Sequence, residues 1–503
     1  MSVYAANTNE TIFRYCIEDS PGVISGDEVW TVLEPNDIST FAPSTATVAR
    51  NPISIDRSPR KGTITDLDAA VEFDDDLTVA SFNNFIDGFL FANWKEQLNA
   101  APTAVTGGAG TSEFTHAALS YALADGTLIY SRDFGSSSNN GLLTVAASST
   151  TTLTKVDETL VTDASPATGA RINVCGFKGA TGDIKVDSSG NLTSTSYDFT
   201  GGSAAGQPDF YAGQFIYVGG TDTGTYFATA GSGFARITAV AEHELTLDKQ
   251  SSSTWAEDAG AGKTIQVFTG EWIRTVAIDD SDFLNQTYQF EAEYSNLDDG
   301  AGGTEDGFEY LIGCSPNTLT LNMPLTDKAT VSWGFVALDG EELVDTAKTK
   351  GSIVTPTDTD AYNTTSDFAR ISLTDSSGND LGAYFKDITL SLNNNITPEK
   401  VLGTLGSVIN SIGDLNITAT TSVLFTSADV QSAVRNNTTV TFDWVLNNDD
   451  GGLYFDLPAV TLGSATKSFP RNETVKLDLD INAFKDNTLG YVMSITNFPY
   501  LPV

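Results

Sequence analysis

The chain has 503 residues, which at ~150 residues per domain leaves room for three to four domains. Lys and Arg number 26 against 65 Asp and Glu, so the net charge is −39, and such a polyanion repels DNA, RNA and anionic membranes wherever its charge faces them. A conventional nucleic-acid binder is therefore excluded, and a hydrophobic content of 40% with 10% aromatics excludes an acidic disordered chain.

In chain order, the N-terminal MSVYAANTNETIFRYCIEDS has no basic region followed by an apolar core, so no secretory signal is expected. Residues 36–61, with Pro43, Pro52 and Pro59, read as a long irregular segment. The alternating GTITDLDAAVEFDDD (62–76) reads as a strand. It leads into a helix over 77–91, where Val79, Phe82, Phe85, Ile86, Phe89 and Leu90 recur at three- and four-residue spacings. Asp74, Asp75 and Asp76 suit the N-terminal dipole of that helix. The apolar run FIDGFLFANW (85–94) is short and interrupted by Asp87, so no membrane span is expected.

Residues 101–263 are rich in Gly, Ala, Ser and Thr and carry 8 basic and 16 acidic residues (−8), against 18 and 49 (−31) in the rest of the chain. Within them, 124–155 resembles 211–249. Each has a Gly ahead of an Ile-Tyr pair, a Gly/Ser/Thr loop, a valine-bearing strand (Val145, Val240) and a final Leu-Thr strand. This predicts two small β-modules inserted at a surface connection. Strands follow at 287–297, 318–325, 329–338 and 473–484, and a second irregular segment at 393–412. A second helix is predicted near 427–436, opened by Ser427 and Asp429. Val71 and Phe73 correspond to Val423 and Phe425 at one constant offset. In both places a turn, an alternating strand and a polar cap precede a short helix, which reads as a degenerate duplication.

Catalytic chemistry is sought and not found. Cys16, Cys175 and Cys314 are too few and too scattered for a disulfide framework or a zinc site and read as free thiols. His116 and His243, the two histidines, lie in unrelated motifs, and no Gly-x-Ser-x-Gly elbow occurs. AGAGKT (259–264) ends like a phosphate loop, but Glu257 stands where the first Gly belongs and a strand follows instead of a helix. Asp478, Asp480 and Asn482 open like a calcium loop, yet Ala483 and Leu489 occupy the Gly and Glu positions. The alternation with Leu477, Leu479 and Ile481 reads as a strand. Asp298-Asp299-Gly300 and Asp449-Asp450-Gly451 read as turns. No catalytic, metal or cofactor residue is assigned, and no cofactor is expected.

The β-halves resemble the tail tube (major tail) proteins of long-tailed, non-contractile, siphovirus-type bacteriophages. The resemblance is carried by Asn51-Pro52 through Phe91, with Arg57 and Arg60 in a polar loop, by 270–300 and 309–343, and by 387–425 and 438–465. It covers the 340 residues outside the insertion. It implies a mainly β fold with two tube-type β-sandwich or barrel domains, each with one short helix. Residues 1–100 and 264–345 would form the first domain and 346–503 the second, with 101–263 inserted as two small β decoration modules. It further implies a structural, non-enzymatic virion protein, assembled in the host cytoplasm. Such proteins self-associate into rings stacked as a tail tube, through which genomic DNA passes to the host cell. Long loops matching 36–61 and 393–412 would reach the adjacent ring. The duplication favours trimeric, pseudo-hexameric rings over hexameric ones. Tape measure protein and DNA would occupy the lumen transiently, and tail tip and terminator proteins the ends. An acidic lumen wall would let DNA slide without sticking. Which carboxylates line it is left open, because a period of two names no face. The alternatives are another virion part, such as a fibre or capsid decoration, an acidic β-rich adhesive surface protein, or a carbohydrate-active β-enzyme.

Overall fold

The computed structural model describes residues 5–53, 55, 60–108, 112–150, 153–250, 255–299, 303–375, 378–469 and 471–503, so Arg57, Pro59 and Gly300 lie outside the described residues. The chain is mainly β, with three short α-helices among the described residues. It divides into two compact units. Unit 1 comprises Met1–Asn93, Val276–Thr364 and Phe385–Ser422; unit 2 comprises Trp94–Thr275, Thr365–Tyr384 and Val423–Val503. No helix among the described residues is long and apolar enough to cross a membrane.

In unit 1, strand Ile12–Ile17 pairs antiparallel with Val29–Leu33 on one side and Tyr288–Asp298 on the other. Tyr288–Asp298 pairs with the long strand Thr304–Met323, which pairs with Thr330–Ala337 and with Ile388–Asn393. Thr330–Ala337 continues to Arg60–Asp76. The segment 36–61, expected to be irregular, instead holds strand Asp37–Arg50, which makes a long hairpin with Arg60–Asp76. Pro43 stands opposite Ala69 in that ladder, and a strand tolerates proline where the missing N–H points away from the partner. The 393–412 segment carries a miniature hairpin of Thr397–Glu399 with Ile409–Ser411. The amide of Asn410 anchors it by donating to the carbonyls of Gly313 and Val336 and to Ser315 Oγ.

The predicted helix over 77–91 is two single-turn pieces, Val79–Asn83 and Ile86–Leu90. Asp74, Asp75 and Asp76 do not cap it; they continue the strand, opposite Ser332, Val331 and Thr330. The cap is Thr78, whose hydroxyl accepts from Ser81 N while the Ser81 hydroxyl accepts from Thr78 N. The break falls at Phe85, which leaves helical backbone angles (φ −131, ψ −18) and sends its ring into an aromatic core. That ring lies 4.5 to 5.8 Å from those of Tyr15, Phe73, Tyr288, Trp333 and Phe335. Apolar helical spacing names the buried face, but packing decided that two turns meet the sheet better than one continuous helix.

In unit 2, the two predicted β-modules are three-stranded meanders. One is Thr127–Arg132, Gly141–Ser148 and Leu153–Val156; the other is Phe215–Val218, Gly233–Ala241 and Glu244–Asp248. Arg171–Lys178 and Gln266–Phe268 bridge them into one sheet. Separate apolar clusters underlie the two parts, one around Phe114, Val145 and Ile172, the other around Phe177, Ile216 and Val267. Unit 2 also holds Phe368–Asp375, Val440–Asn448, Gly451–Ser468, Lys476–Ala483 and Ser494–Phe498. These pair antiparallel in that order, with the last two both on Gly451–Ser468. The helix near 427–436 is present as Asp429–Asn436, ahead of Val440–Asn448.

Candidate assembly surface

Each unit contains the same order of a first strand, a middle strand, a long strand and a return strand. In unit 1 these are Ile12–Ile17, Tyr288–Asp298, Thr304–Met323 and Thr330–Ala337. In unit 2 they are Phe368–Asp375, Val440–Asn448, Gly451–Ser468 and Lys476–Ala483. The likeness extends to the polar core. Arg14 Nη1 lies 2.6 Å from Glu291 Oε1, and the Tyr310 hydroxyl donates to Glu291 Oε2 at 2.6 Å. Arg370 Nε lies 2.7 Å from Asp443 Oδ1, and the Tyr454 hydroxyl donates to that oxygen at 2.6 Å. In both units the first strand supplies the arginine, the middle strand a fully buried acid and the long strand the tyrosine. Burial is the main reason that both phenols are pushed up, and the adjoining carboxylates push the same way. A buried carboxylate survives only when such partners satisfy it. The correspondence of Val71 and Phe73 with Val423 and Phe425 does not reveal these triads. The local signal is a Phe-acid pair, Phe290-Glu291 and Phe442-Asp443, on strands that otherwise differ.

Of the exposed large apolar side chains of unit 1, nine lie on two segments, and others such as Ile17, Val29, Ile278 and Ile353 lie elsewhere. Val48, Ile53, Ile55 and Ile64 sit on the long hairpin, and Val401, Leu402, Leu405, Val408 and Ile409 on and beside the miniature one. Lys400 ties the two segments together through Asp66 and Asp68. The long hairpin also carries exposed Arg50, Arg60 and Lys61, against the −39 of the whole chain. Contiguous apolar surface of this kind is where an interaction site is sought. Acidic side chains line up on the solvent side of two strands: Asp68, Glu72 and Asp74 on Arg60–Asp76, and Asp478 and Asp480 on Lys476–Ala483.

The residues weighed for catalysis are scattered. Cys16, Cys175 and Cys314 are buried and free, and burial pushes the Cys16 thiol up to about 12. His116 is buried with neither ring nitrogen hydrogen-bonded among the described residues, and burial pulls it down to about 4. His243 is exposed, with Nδ1 2.9 Å from the Tyr197 carbonyl oxygen. Residues 259–264 form a turn into Gln266–Phe268, and the Lys263 ammonium donates to the Thr223 carbonyl and stands over Tyr226. Leu477, Leu479 and Ile481 are buried and alternate with outward Asp478, Asp480 and Asn482, as a strand requires. Gly303 N donates to Asp299, and Asp449-Asp450 turns one strand into the next. No group of three or more His, Cys, Asp or Glu among the described residues could hold a metal ion.

Two β-units with matching buried triads, one of them carrying exposed apolar side chains on two neighbouring segments, form the framework of the chain. The family whose model is described as phage tail tube protein matches residues 217–483, more than half of the chain. This chain belongs to the phage tail tube proteins. The match starts inside strand Phe215–Val218 of the inserted section and runs through the return strand of unit 2, so it takes in parts of both units. No curated protein matches the chain. As a tail tube protein it is a structural component of the virion tail, and its family assembles into a tube.

Proposed function

We propose that three copies of this tail tube protein close a pseudo-sixfold ring and that rings stack into the tube of a long-tailed, non-contractile phage. The observation that carries this reading is the repeated triad: Arg14–Glu291–Tyr310 and Arg370–Asp443–Tyr454 on matching strands. Two tube domains in one chain halve the number of chains per ring. The stretch from Phe73 to Glu291 in the first corresponds to that from Phe425 to Asp443 in the second, so the inserted β-modules interrupt the first domain. The long hairpin and the 393–412 segment, with their exposed apolar residues, reach the adjacent ring, where burying them removes apolar surface from water. Tape measure protein and then genomic DNA occupy the lumen, terminator and tip proteins close the ends, and assembly takes place in the host cytoplasm.

The lumen wall is acidic in this reading, and DNA passes because nothing holds it. A −39 chain supplies the charge, and the outward rows of Asp68, Glu72 and Asp74 and of Asp478 and Asp480 are the first candidates for that wall. Electron microscopy of the purified, assembled protein tests the ring. Hollow tubes with three chains per ring support the proposal, whereas six chains per ring, or compact monomers under every salt condition, refute it. Charge reversal of Glu72, Asp74, Asp478 and Asp480 in the phage, with Asp68 left to its ion pair with Lys400, tests the wall separately. Slowed DNA ejection from intact tails is expected, and a normal rate would reject the acidic-wall idea while leaving the tube intact.

A further inference from the structure

The inserted β-modules sit on one face of the unit 2 sheet, and the contact is built like a core. Leu128, Cys175, Phe215, Tyr217 and Phe234 of the insertion, with Phe268 just after it, pack with Val445, Tyr454, Phe498 and Leu501. The rings of Phe215 and Tyr454 stack at 3.9 Å, and Phe234 meets Tyr454 edge-on at 5.2 Å. A buried ionic clamp crosses the same contact. Arg236, on Gly233–Ala241, places Nη1 3.2 and 3.1 Å from the two carboxylate oxygens of Asp456 and Nη2 2.7 Å from Asp248. The Tyr491 hydroxyl donates to Asp456 at 2.9 Å. At Gly213, with φ +98, an added Cβ would lie 2.4 Å from the Tyr491 ring, so the approach is closed to any larger residue. Strand Glu271–Arg274 then completes the contact by pairing with Ser494–Phe498.

Unit 1 covers the corresponding place on its own triad differently. There the segment that follows the return strand brings Lys350 Nζ to 2.7 Å from Glu291 Oε2 and over the Trp30 ring, and Lys348 N donates to the Tyr310 hydroxyl at 2.8 Å. A short strap suffices for one tube domain, while the other uses a whole pair of β-modules. An outward decoration could sit on its parent through a polar, replaceable seam. An apolar face sealed by a buried arginine–aspartate pair has a different job, since baring it would expose Val445, Tyr454, Phe498 and Leu501 together.

We propose that the inserted β-modules are a built-in cover for the apolar face of the second tube domain, which keeps that face from taking up a second copy of the chain in the wrong place. The inference holds whatever the ring symmetry. It is tested on the full-length protein with Arg236→Met, which leaves Asp456 without its cation, and Gly213→Val, which drives a side chain into Tyr491. Amide hydrogen exchange, binding of an apolar-surface dye and light scattering are compared with the wild type under conditions where the latter stays unassembled. The expected result has three parts: exchange at 271–274 and 494–498 at least about tenfold faster, increased dye binding, and concentration-dependent association. Protection at Tyr288–Asp298 in unit 1 should be unchanged. Unaltered exchange and dye binding in both variants would show that these contacts do not hold the cover. An opened face without association would show that it guards nothing. Simultaneous loss of protection in unit 1 would show that the modules are not a separable cover. Tube formation by the wild type is scored independently by microscopy, so failure of the ring proposal leaves this test standing.

Discussion

Replacing Arg370 by Met should loosen the centre of unit 2 far more than an average surface change. Asp443 is fully buried, and its cation is Arg370 Nε at 2.7 Å. Without it the carboxylate keeps the Tyr454 hydroxyl at 2.6 Å, but it faces Asp456, its directly opposite cross-strand partner. Burial, the larger cause, and nearby Asp443 already push Asp456 up to about 6. Removing one partner of a buried pair costs about 3–5 kcal/mol, whereas removing both for apolar residues is often close to neutral. At about 1.4 kcal/mol per tenfold, native-state exchange of the most protected Val440–Asn448 amides should therefore accelerate by roughly 10² to 10⁴ in Arg370→Met. Arg370→Met/Asp443→Leu should regain most of that loss, short of about 1 kcal/mol for the stranded Tyr454 hydroxyl. Arg14→Met should cost less in unit 1, because Lys350 Nζ remains 2.7 Å from Glu291 Oε2. Acceleration under tenfold in Arg370→Met, a double variant as loose as the single, or a larger loss at Arg14 would refute the reasoning.

Burial holds His116 down at about 4 against an ordinary value of 6.5, so between those values the unfolded chain takes up a proton that the folded chain refuses. Stability of the inserted modules should thus fall as pH drops from 6.5 to 4, by about 3 kcal/mol in full, and His116→Phe should flatten that part of a thermal-melting pH series. An equally steep series in the variant would count against it. Asn410→Ala removes a side chain that donates to two carbonyls and a hydroxyl, and should free the Thr397–Glu399/Ile409–Ser411 hairpin at a cost of about 1–3 kcal/mol, read as faster proteolysis within 393–412. Cys16, Cys175 and Cys314 should resist alkylation in the native protein and react together on denaturation; labelling of any one at native rates typical of a free thiol would contradict their burial.

Much of the strand content was legible in the sequence because alternation is a local signal: Lys476–Ala483 shows its two faces in eight residues. The meanders within 101–263 were readable from the likeness of 124–155 to 211–249, and the helix Asp429–Asn436 from its polar start at Ser427 and Asp429. Pro43 misled, since a residue that disfavours strands in general is tolerated in a ladder that does not need its N–H. Asp74, Asp75 and Asp76 misled too, because a plausible cap is a local preference and the Thr330–Ala337 strand outbid it.

By itself, then, the sequence determined the chemistry available: an acidic, β-rich chain with a Gly- and Ser-rich middle section. Only the tertiary structure decided which charges became structural. Arg14 and Glu291, or Arg236 and Asp456, lie hundreds of residues apart in the chain, and no period or spacing links them. Strand pairing joins them, and the pairing is set by which apolar faces can be buried together, a property of the whole fold and not of any window of residues.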